Sequence, residues 1–379
     1  MKITGIICEY NPLHLGHKKQ LGSIRAADPD GIIVCLMSGN YVQRGHPAIV
    51  DKSIRAKAAI MAGADLVLEL PITAALSSAE GFASEGVQIL SNFCTHLCFG
   101  AETADTALLM QTAQALLSER FPILLRQQLD QGLSFPAARS KALEEMGISA
   151  ITKPNDILAV EYCKAILLQK SALIPMPIQR GGDYHAETAD ENNPSATALR
   201  KLMQEGGIWL DYVPQEVRDI FREAKLHRLS AGERMVLAKL RTMTEEAFEA
   251  IPFGSEGLWR KLMHNARRFA SLEDVITATK SKRYTRTRLD RMVMCAFLDI
   301  SAEMMASPAP YVRLLALNDR GRTILRQKKD RFPVINAGES ADHPYWELEK
   351  RAGDLFGLFC TDAPEPPKAE ENRRVVYVR

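Results

Sequence analysis

Two histidines lie three residues apart near the N-terminus, within the stretch GIICEYNPLHLGHKKQL. His14 and His17 flank Gly16 and follow Asn11 and Pro12, which favour a turn. If a helix begins here, both imidazoles project from one side of its first turn, where free backbone N–H groups attract anions. The pattern predicts a triphosphate cradle in which the histidines stabilise the charge that grows as pyrophosphate leaves. The alternative is that one histidine caps the helix and the other is solvated.

A second candidate phosphate-binding segment is SATALR, which begins at Ser195 directly after Pro194. It places the hydroxyls of Ser195 and Thr197 in the first turn of a predicted helix and a cation one turn later. Hydroxyl and backbone N–H groups there can hold the β- and γ-phosphates, with Arg200 or Lys201 balancing their charge. Taken alone, the segment is better explained as an ordinary serine N-cap.

These candidate ligands need a scaffold, and the first half of the chain alternates short apolar runs with amphipathic segments. The predicted strands are residues 4–8, 31–37, 65–70, 96–99 and 173–178, and the predicted helices include 15–27, 49–62 and 104–117. This alternation predicts an α/β fold with a doubly wound, mainly parallel sheet. Ligands of such sheets bind at the carboxyl ends of the strands.

After Gly206 and Gly207 the pattern becomes helical, over residues 214–225, 230–242, 255–270 and 288–303. Strand signals return only weakly, at 334–335 and 375–378, and the stretch APEPPKAEE is expected to be flexible. A chain of 379 residues is also long for one core. We therefore predict two domains, 1–205 and 206–379, the second mostly helical.

The composition is that of an ordinary globular protein, with 46% hydrophobic and 25% charged residues. No apolar run approaches the roughly 20 residues needed to cross a bilayer. The seven cysteines are scattered and odd in number, unlike a disulfide framework. We expect a cytoplasmic protein.

Cys94, His96 and Cys98 alternate, so that a strand would place all three on one face. A zinc site would need a fourth ligand, and none is evident in the apolar surroundings. Buried packing is the better explanation, and we expect no metal there.

Charge is distributed unevenly along the chain. Residues 1–205 hold 18 Lys+Arg against 21 Asp+Glu, a net charge of −3, and residues 206–379 hold the remaining 30 against 25, a net charge of +5. Within the second part, KSKRYTRTRLDR combines basic side chains, which bind phosphates, with a tyrosine, which can stack on an unpaired base. The candidates for nucleic-acid contact are Lys280, Lys282, Arg283, Tyr284, Arg286 and Arg288. A solvated basic helix face explains the segment equally well.

HLGH together with SATALR is similar to the HxGH nucleotidyltransferase superfamily, whose members attack the α-phosphate of a nucleotide and release pyrophosphate. EYNPLHLGHKKQL, SGNYVQRGHPAIVDKSIRAKAAIMAGADLVLELP, FGAE, KPNDILAVEY, QRGGDYH and KSKRYTRTRLDR resemble one family within it, the tRNA(Met) cytidine acetate ligases. The resemblance implies a nucleotidyltransferase-like Rossmann fold with a basic, tRNA-binding second domain. It also implies a ligase that uses ATP to convert acetate to acetyl-adenylate and then acetylates N4 of the wobble cytidine of elongator tRNA(Met).

The resemblance also implies the residues of the nucleotide site. Those from the first strand, turn and helix are Ile7, Cys8, Glu9, Tyr10, Asn11, Pro12, Leu13, His14, Leu15, Gly16, His17, Lys18, Lys19 and Gln20, and those from later segments are Gly100, Asn155, Arg180, Gly181, Ser195 and Thr197. His14 and His17 would be catalytic. Arg180 follows a strand and could meet a phosphate bidentately. Catalysis would rest on positioning and charge stabilisation, with Mg²⁺ expected and no covalent nucleophile.

The residues for acetate and the acceptor base stay open, with the region of Ser38, Asn40, Asp51 and Lys52 as the suspected location. Two other functions compete with the ligase. One is a small-molecule adenylyltransferase of cofactor biosynthesis, which would not need a basic second half. The other is a noncatalytic RNA-binding protein, which would not need to keep the histidine pair.

Overall fold

The computed structural model describes residues 1–149, 151–180, 195–281, 283–328, 330–367 and 370–379. Most of its strands are short and apolar. They are β1 (Ile3–Cys8), β2 (Ile32–Ser38), β3 (Tyr41–Val42), β4 (His46–Pro47), β5 (Leu66–Leu70), β6 (His96–Ala101), β7 (Ile174–Gln179), β8 (Val312–Leu317), β9 (Val334–Asn336) and β10 (Val376–Tyr377).

The helices connect the strands and form most of the second half. They are α1 (Leu15–Ala27), α2 (Lys52–Met61), α3 (Ile72–Ala75), α4 (Ala79–Leu90), α5 (Thr106–Leu116), α6 (Arg120–Asp130), α7 (Phe135–Glu145), α8 (Pro154–Leu168), α9 (Ala196–Glu205), α10 (Arg218–Arg222), α11 (Glu233–Thr242), α12 (Glu245–Glu249), α13 (Leu258–Arg268), α14 (Leu272–Thr279), α15 (Arg286–Phe297), α16 (Ala302–Ala306), α17 (Asp319–Lys328) and α18 (Pro344–Phe356). Short 3-10 turns occur at Leu210–Tyr212, Gln215–Val217, Gly357–Phe359 and Glu370–Asn372. Within the described residues, no helix is both long enough and apolar enough to span a membrane.

One sheet holds eight of the strands, in the order β10-β8-β5-β2-β1-β6-β7, with β9 also paired to β8. The strands from β5 to β7 in this order are parallel to one another, and β8 runs antiparallel to β5. The chain places β2 and β5 on one side of β1 and then crosses over to place β6 and β7 on the other. The order therefore reverses between β1 and β6, and at such a point the carboxyl ends of the strands open a crevice for ligands.

Both faces of the sheet are covered by helices, as the hydrophobicity of the strands requires. Along β2, Val34 and Leu36 pack into one apolar cluster, together with side chains from α4, α5 and α8. The alternate residues, Cys35 and Met37, pack into a second cluster with side chains from α1 and α2. Because every residue of β2 is buried, the strand reads as a continuous apolar run.

β7 is the last strand at its side of the sheet in the described part of the chain. The N–H groups of Ile174 and Arg180 donate to carbonyls of the β6 segment. Because the backbone N–H positions alternate in direction along a strand, the positions at residues 175 and 177 face away from β6. Both are prolines, so neither removes a hydrogen bond from the sheet.

The predicted scaffold is confirmed for the α/β part, where five strands lie within about two residues of their predicted ends. β8 was not predicted, although it is fully buried. The helix predicted over residues 288–303 is wrong in its second half, because α15 ends at Phe297 and Asp299 has a positive φ of 54°. α16 then begins separately after Ser301, which caps it.

Most helices after residue 206 share an apolar cluster, to which Tyr41 and Leu76 of the first half also contribute, whereas α10 and α17 pack against the central sheet. β8, β9 and β10 lie beyond residue 206 but belong to the central sheet. A division into domains 1–205 and 206–379 stays a prediction, and the sheet itself crosses that boundary.

Candidate nucleotide site at the switch point

The residues singled out for nucleotide binding follow three neighbouring strands. β1 ends at Cys8 and leads through the turn into α1, β6 contains Gly100 as its penultimate residue, and β7 ends directly before Arg180. Since these strands are parallel neighbours, their carboxyl ends meet at one edge of the sheet. This edge is the crevice at the switch point.

His14 and His17 form a reciprocal cap at the start of α1. Nδ1 of His14 accepts a hydrogen bond from the N–H of Gly16 at 3.1 Å, and Nδ1 of His17 accepts one from the N–H of His14 at 3.3 Å. The two rings are stacked, with centroids 3.7 Å apart and planes 26° apart. Because both rings turn Nδ1 to the backbone, each neutral ring carries its proton on Nε2. Capping and ligand binding are therefore compatible, since the cap uses only one nitrogen of each ring.

Both histidines are neutral near pH 7. Burial, followed by the charges of Arg180 and Arg200, lowers the pKa of His14 from 6.5 to about 3. Burial, His14 and Arg180 likewise lower the pKa of His17 well below its ordinary value. Nε2 of His14 is buried without a hydrogen-bond partner among the described residues. Buried donors are rarely left unpaired, and a phosphate oxygen would pair this one.

We expect His14 to stay neutral, as the Nε2–H tautomer, from pH 7.5 to pH 5 in the free protein. Its pKa is lower in the folded chain than the ordinary 6.5, so the unfolded chain binds more protons below that pH. The free energy of unfolding should therefore fall as the pH decreases from about 6.5, by about 2 kcal/mol at pH 5 from this residue. Bound ATP should raise the pKa through its negative charge.

Histidine ¹⁵N chemical shifts, recorded with and without ATP, measure the tautomer and the pKa. Urea unfolding at pH 7 and pH 5 measures the change in stability. A His14 ring that titrates near pH 6.5 in the free protein would contradict the prediction.

A buried arginine holds the turn before α1 in place. The guanidinium of Arg55 is fully buried and donates to the carbonyls of Glu9 at 2.6 Å, Ser38 at 3.1 Å and Val50 at 2.8 Å, and also to that of Gly39. These carbonyls come from the ends of β1 and β2 and from the segment before α2. One cation therefore joins the two strand ends that flank the turn.

Polar side chains within the turn are also used by the protein. Oε1 of Glu9 accepts a hydrogen bond from the N–H of Gln43 at 2.8 Å, and Oδ1 of Asn11 accepts one from the N–H of Ile49 at 2.7 Å. Tyr10 is buried and has a positive φ of 45°. Hydrogen bonds within the protein therefore hold the turn in this conformation without a ligand.

Gly100, Asn155 and Arg180 lie together, as the resemblance implied. A Cβ atom on Gly100 would come within 2.7 Å of Cδ of Arg180, so the glycine makes room for this side chain. Nη1 of Arg180 donates to Oδ1 of Asn155 at 3.1 Å. Nδ2 of Asn155 donates in turn to Oε1 of Glu102 at 2.6 Å. A row of polar groups therefore runs from the end of β6 to the guanidinium.

The SATALR segment begins α9 near the same turn. Oγ of Ser195 accepts a hydrogen bond from the N–H of Ala198 at 3.0 Å, so it caps the helix. Arg200 donates to Oγ1 of Thr197 at 3.1 Å and to the carbonyl of Asn11 at 2.8 Å. Arg200 thus ties α9 to the turn before α1. Phosphate contacts by Ser195 and Thr197 stay a prediction.

The remaining predicted residues of α1 differ in their surroundings. Nζ of Lys18 lies 2.5 Å from Oε1 of Glu216, Lys19 is exposed, and Gln20 donates to Sγ of Cys98. Ile7 and Leu13 pack in apolar clusters and Pro12 lies in the turn, and their contact with a nucleotide stays a prediction. Gly181 lies outside the described residues.

The suspected acetate or acceptor-base region is filled by ion pairs. Nζ of Lys52 lies 2.9 Å from Glu69 and 2.8 Å from Glu370, and all three are largely buried. Arg373 pairs with Asp51 at 3.0 Å and 3.1 Å. Burial alone would lower the pKa of Lys52, but the two carboxylates raise it above its ordinary value. Lys52 is therefore a buried ion-pair residue in this structure.

The positive charge of the basic segment, residues 280–291, is partly neutralised by carboxylates of the protein itself. Arg283 pairs with Glu256 at 2.7 Å, and Arg286 pairs with Glu273 at 2.6 Å. Arg288 donates to the carbonyl of Phe253. Lys280, Arg283 and Tyr284 lie before or at the start of α15, and Lys282 lies outside the described residues. Contact of this segment with nucleic acid stays a prediction.

Cys94 and Cys98 do not share a face of the sheet. Cys94 precedes β6 and packs in one apolar cluster, whereas Cys98 packs in the cluster on the opposite face. The expected buried packing of both cysteines is confirmed. Sequence reasoning did not single out a different group, in which His227 Nε2 lies 3.0 Å from Glu365 with Cys360 nearby.

Sequence reasoning also missed Arg55 and Glu102. Arg55 donates to carbonyls at the ends of β1 and β2, and Glu102 directly follows β6. Their location at strand ends near the switch point is the one signal that could have identified them. Their partners come from segments far apart in the chain, so the sequence alone gives no sign of those contacts.

Comparisons with known proteins agree with this geometry. The model of the HIGH Nucleotidyl Transferase family matches residues 1–372. The tRNA(Met) cytidine acetate ligase of Clostridium perfringens is 38% identical over 94% of this chain and 95% of its own length, and that of Acetivibrio thermocellus is 35% identical over 97% of both. The crystal structure of Thermotoga maritima TmcAL without ligand superposes with a TM-score of 0.90 at 28% identity, and the structure of that protein bound with alpha-thio ATP superposes with 0.88. Both cover all of each chain.

Proposed function

Since the chain belongs to the tRNA(Met) cytidine acetate ligase family, we propose that it uses ATP to activate acetate and acetylates a cytidine of tRNA(Met). The family assignment carries this proposal. The observation in the molecule that best supports it is the pair of stacked, neutral histidines at the switch point. Their Nε2–H groups lie at the start of a helix, where a polyphosphate is favoured.

In the first step, an acetate oxygen attacks the α-phosphorus of ATP and the bond to the β-phosphate oxygen breaks. Acetyl-adenylate forms and pyrophosphate leaves with the electron pair of the broken bond. Negative charge grows on the phosphate oxygens, and the Nε2–H groups of His14 and His17 would donate to them. Arg180 adds positive charge near both rings, and Arg200 adds it near the ring of His14. Fixed donors of this kind stabilise the transition state because they need no reorganisation.

In the second step, the N4 amine of cytidine attacks the acetyl carbonyl. The carbon–oxygen bond to AMP breaks, AMP leaves, and N4 loses one proton. The acyl phosphate is already activated, so positioning of the two reactants supplies much of the rate. Wobble-position selectivity and use of the elongator tRNA(Met) are parts of the proposal.

Mg²⁺ is expected with ATP, and the described residues offer it few ligands at the site. Both oxygens of Glu102 accept hydrogen bonds from the protein, and one oxygen of Glu9 does so. Mg²⁺ commonly binds nucleotides through phosphate oxygens and water. No step in the proposal depends on a protein-bound ion. A cytoplasmic location, where ATP and tRNA are available, completes the proposal.

The experiment that tests the function uses ATP, labelled acetate and bulk tRNA. After incubation the RNA is digested to nucleosides, and label in N4-acetylcytidine supports the ligase. A small-molecule adenylyltransferase would consume ATP with a cofactor precursor and label no nucleoside. A noncatalytic RNA-binding protein would bind tRNA without turnover. The comparisons favour the ligase over both alternatives.

We expect the double variant Lys280→Ala/Arg283→Ala to bind tRNA more weakly. For each tRNA phosphate that the variant no longer neutralises, the slope of log affinity against log salt should become shallower by about 0.7 to 0.9. Filter binding between 50 and 200 mM salt measures this slope. The matched control is Arg120→Ala/Arg126→Ala, which removes two cations from α6. Its slope of log affinity against log salt should stay at the wild-type value. An unchanged slope in the first variant would count against the basic segment.

A further inference from the structure

A carboxylate stands at the edge of the candidate ATP site, where its charge opposes that of the ligand. Glu102 directly follows β6, two residues after Gly100. Its Oε1 accepts a hydrogen bond from Nδ2 of Asn155 at 2.6 Å, and its Oε2 accepts one from the N–H of Asp156 at 3.0 Å. Asp156 returns the contact by accepting from the N–H of Thr103 at 2.8 Å.

These contacts leave Asn155 only one orientation. A carboxylate can only accept hydrogen bonds and a guanidinium can only donate them. Asn155 must therefore direct its Nδ2 to Glu102 and its Oδ1 to Nη1 of Arg180, which lies 3.1 Å away. The same guanidinium lowers the pKa of both histidines by its charge, so it lies close to them.

We propose that Glu102 is a positioning residue that fixes the amide of Asn155 and, through it, holds the guanidinium of Arg180 at the phosphate site. The inference rests on the proposed function insofar as ATP is the ligand. Glu102 itself touches no substrate in this scheme. The negative charge of Glu102 is stabilised at the edge of the site because each of its two oxygens accepts a hydrogen bond from the protein.

The first test is Glu102→Gln. Asn155 and the N–H of Asp156 donate to different oxygens of Glu102, and glutamine has only one acceptor oxygen, so one of the two contacts is lost and the side chain no longer fixes both donors. We expect the Kd for ATP, measured by calorimetry, to rise about tenfold, as for the loss of one charge-assisted hydrogen bond. The KM for acetate and the affinity for tRNA should not change. Glu145→Gln, which replaces a carboxylate that accepts from Gln128 on the α6–α7 hairpin, is the matched control.

The second test is rescue by Glu102→Gln/Asn155→Asp. The new amide donates to the new carboxylate and still accepts from the N–H of Asp156, while the carboxylate accepts from Arg180. We expect the double variant to bind ATP more tightly than either single variant, Glu102→Gln or Asn155→Asp, because only the double variant restores the hydrogen bond between the two side chains. A purely structural role at the start of α8 predicts a lower melting temperature without a change in Kd, and no rescue.

An unchanged Kd in Glu102→Gln, or a double variant that binds ATP no more tightly than the two single variants, overturns the inference. The proposed function is tested separately by acetate-dependent exchange of pyrophosphate into ATP. Loss of ATP affinity in Glu102→Gln with no acetate-dependent exchange in the wild type would overturn the function and support the positioning role. Normal acetate-dependent exchange in the wild type, with an unchanged Kd for ATP in Glu102→Gln, would support the function and overturn the positioning role.

Discussion

His14→Asn should slow the formation of acetyl-adenylate by about 100-fold to 1000-fold while the protein stays folded. Asparagine is a good N-cap, so its Oδ1 can accept from the N–H of Gly16 as Nδ1 of His14 does. The substitution removes the buried Nε2–H, which has no partner among the described residues and is the donor assigned to the leaving charge. Acetate-dependent exchange of labelled pyrophosphate into ATP measures this step alone.

Two comparisons separate catalysis from folding in this experiment. His14→Ala removes the cap as well and should lose about 1 kcal/mol of stability in addition to the rate. tRNA binding should survive in His14→Asn, since the ring is buried at the opposite half of the chain from the basic segment. If His14→Asn exchanges pyrophosphate at the wild-type rate, the histidine serves the helix only. If it loses exchange and tRNA binding together with its fold, the ring is structural.

Lys52→Met should cost about 3–5 kcal/mol of the free energy of unfolding, because Glu69 would remain buried without its cation and Glu370 would keep only Arg373. Without the ammonium, the pKa of Glu370 would rise from the lowered value that Lys52 and Arg373 together give it. A lowered pKa contributes stability that is lost as the pH falls through it, and the wild type holds more of this contribution, so the deficit of the variant should shrink as the pH falls toward 4. Urea unfolding at pH 7.5 and pH 5 measures both effects.

The matched control is Lys239→Met, which breaks an ion pair with Asp299 at the surface and should scarcely change stability. Lys52→Met/Glu69→Gln removes the carboxylate that has lost its cation and should recover part of the loss. In the wild type, burial opposes ionisation of Glu370, but Lys52 and Arg373 lower its pKa below the ordinary value. Its contribution therefore exists above the ordinary carboxyl pKa and disappears in acid. A stability of Lys52→Met equal to that of the control would disprove the network.

The strand, turn and helix around His14 could be predicted from the sequence because the signals are local. An apolar run, Asn11-Pro12 and two histidines at helical spacing lie within about fifteen residues, and each has a preference of its own. The positions of Gly100 and Arg180 could be predicted for a related reason, since parallel strands bring their carboxyl ends together. The family resemblance supplied the identity of the ligand, which these patterns leave open.

The roles of Arg55 and Lys52 could not be predicted, because they depend on contacts across long separations. Arg55 looks like a helix-surface cation in the sequence, yet it is fully buried among backbone carbonyls of three segments. Lys52 lies in the region suspected for acetate or the acceptor base, and its partner Glu370 lies 318 residues away. β8 was missed because its sequence, VRLLAL, includes a charged residue and carries no period that separates a buried strand from a helix.

The two prolines of β7 set a limit on how this protein can associate. A strand that joined the sheet beyond β7 would need the donors that face away from β6, and at residues 175 and 177 there are none. Accidental pairing of this edge with another copy is therefore disfavoured, as natural edge strands often require. A partner that approaches here meets carbonyl acceptors but no N–H donors at these two positions. β7 ends directly before Arg180 of the candidate ATP site. The two prolines therefore also disfavour aggregation through the strand that positions this arginine.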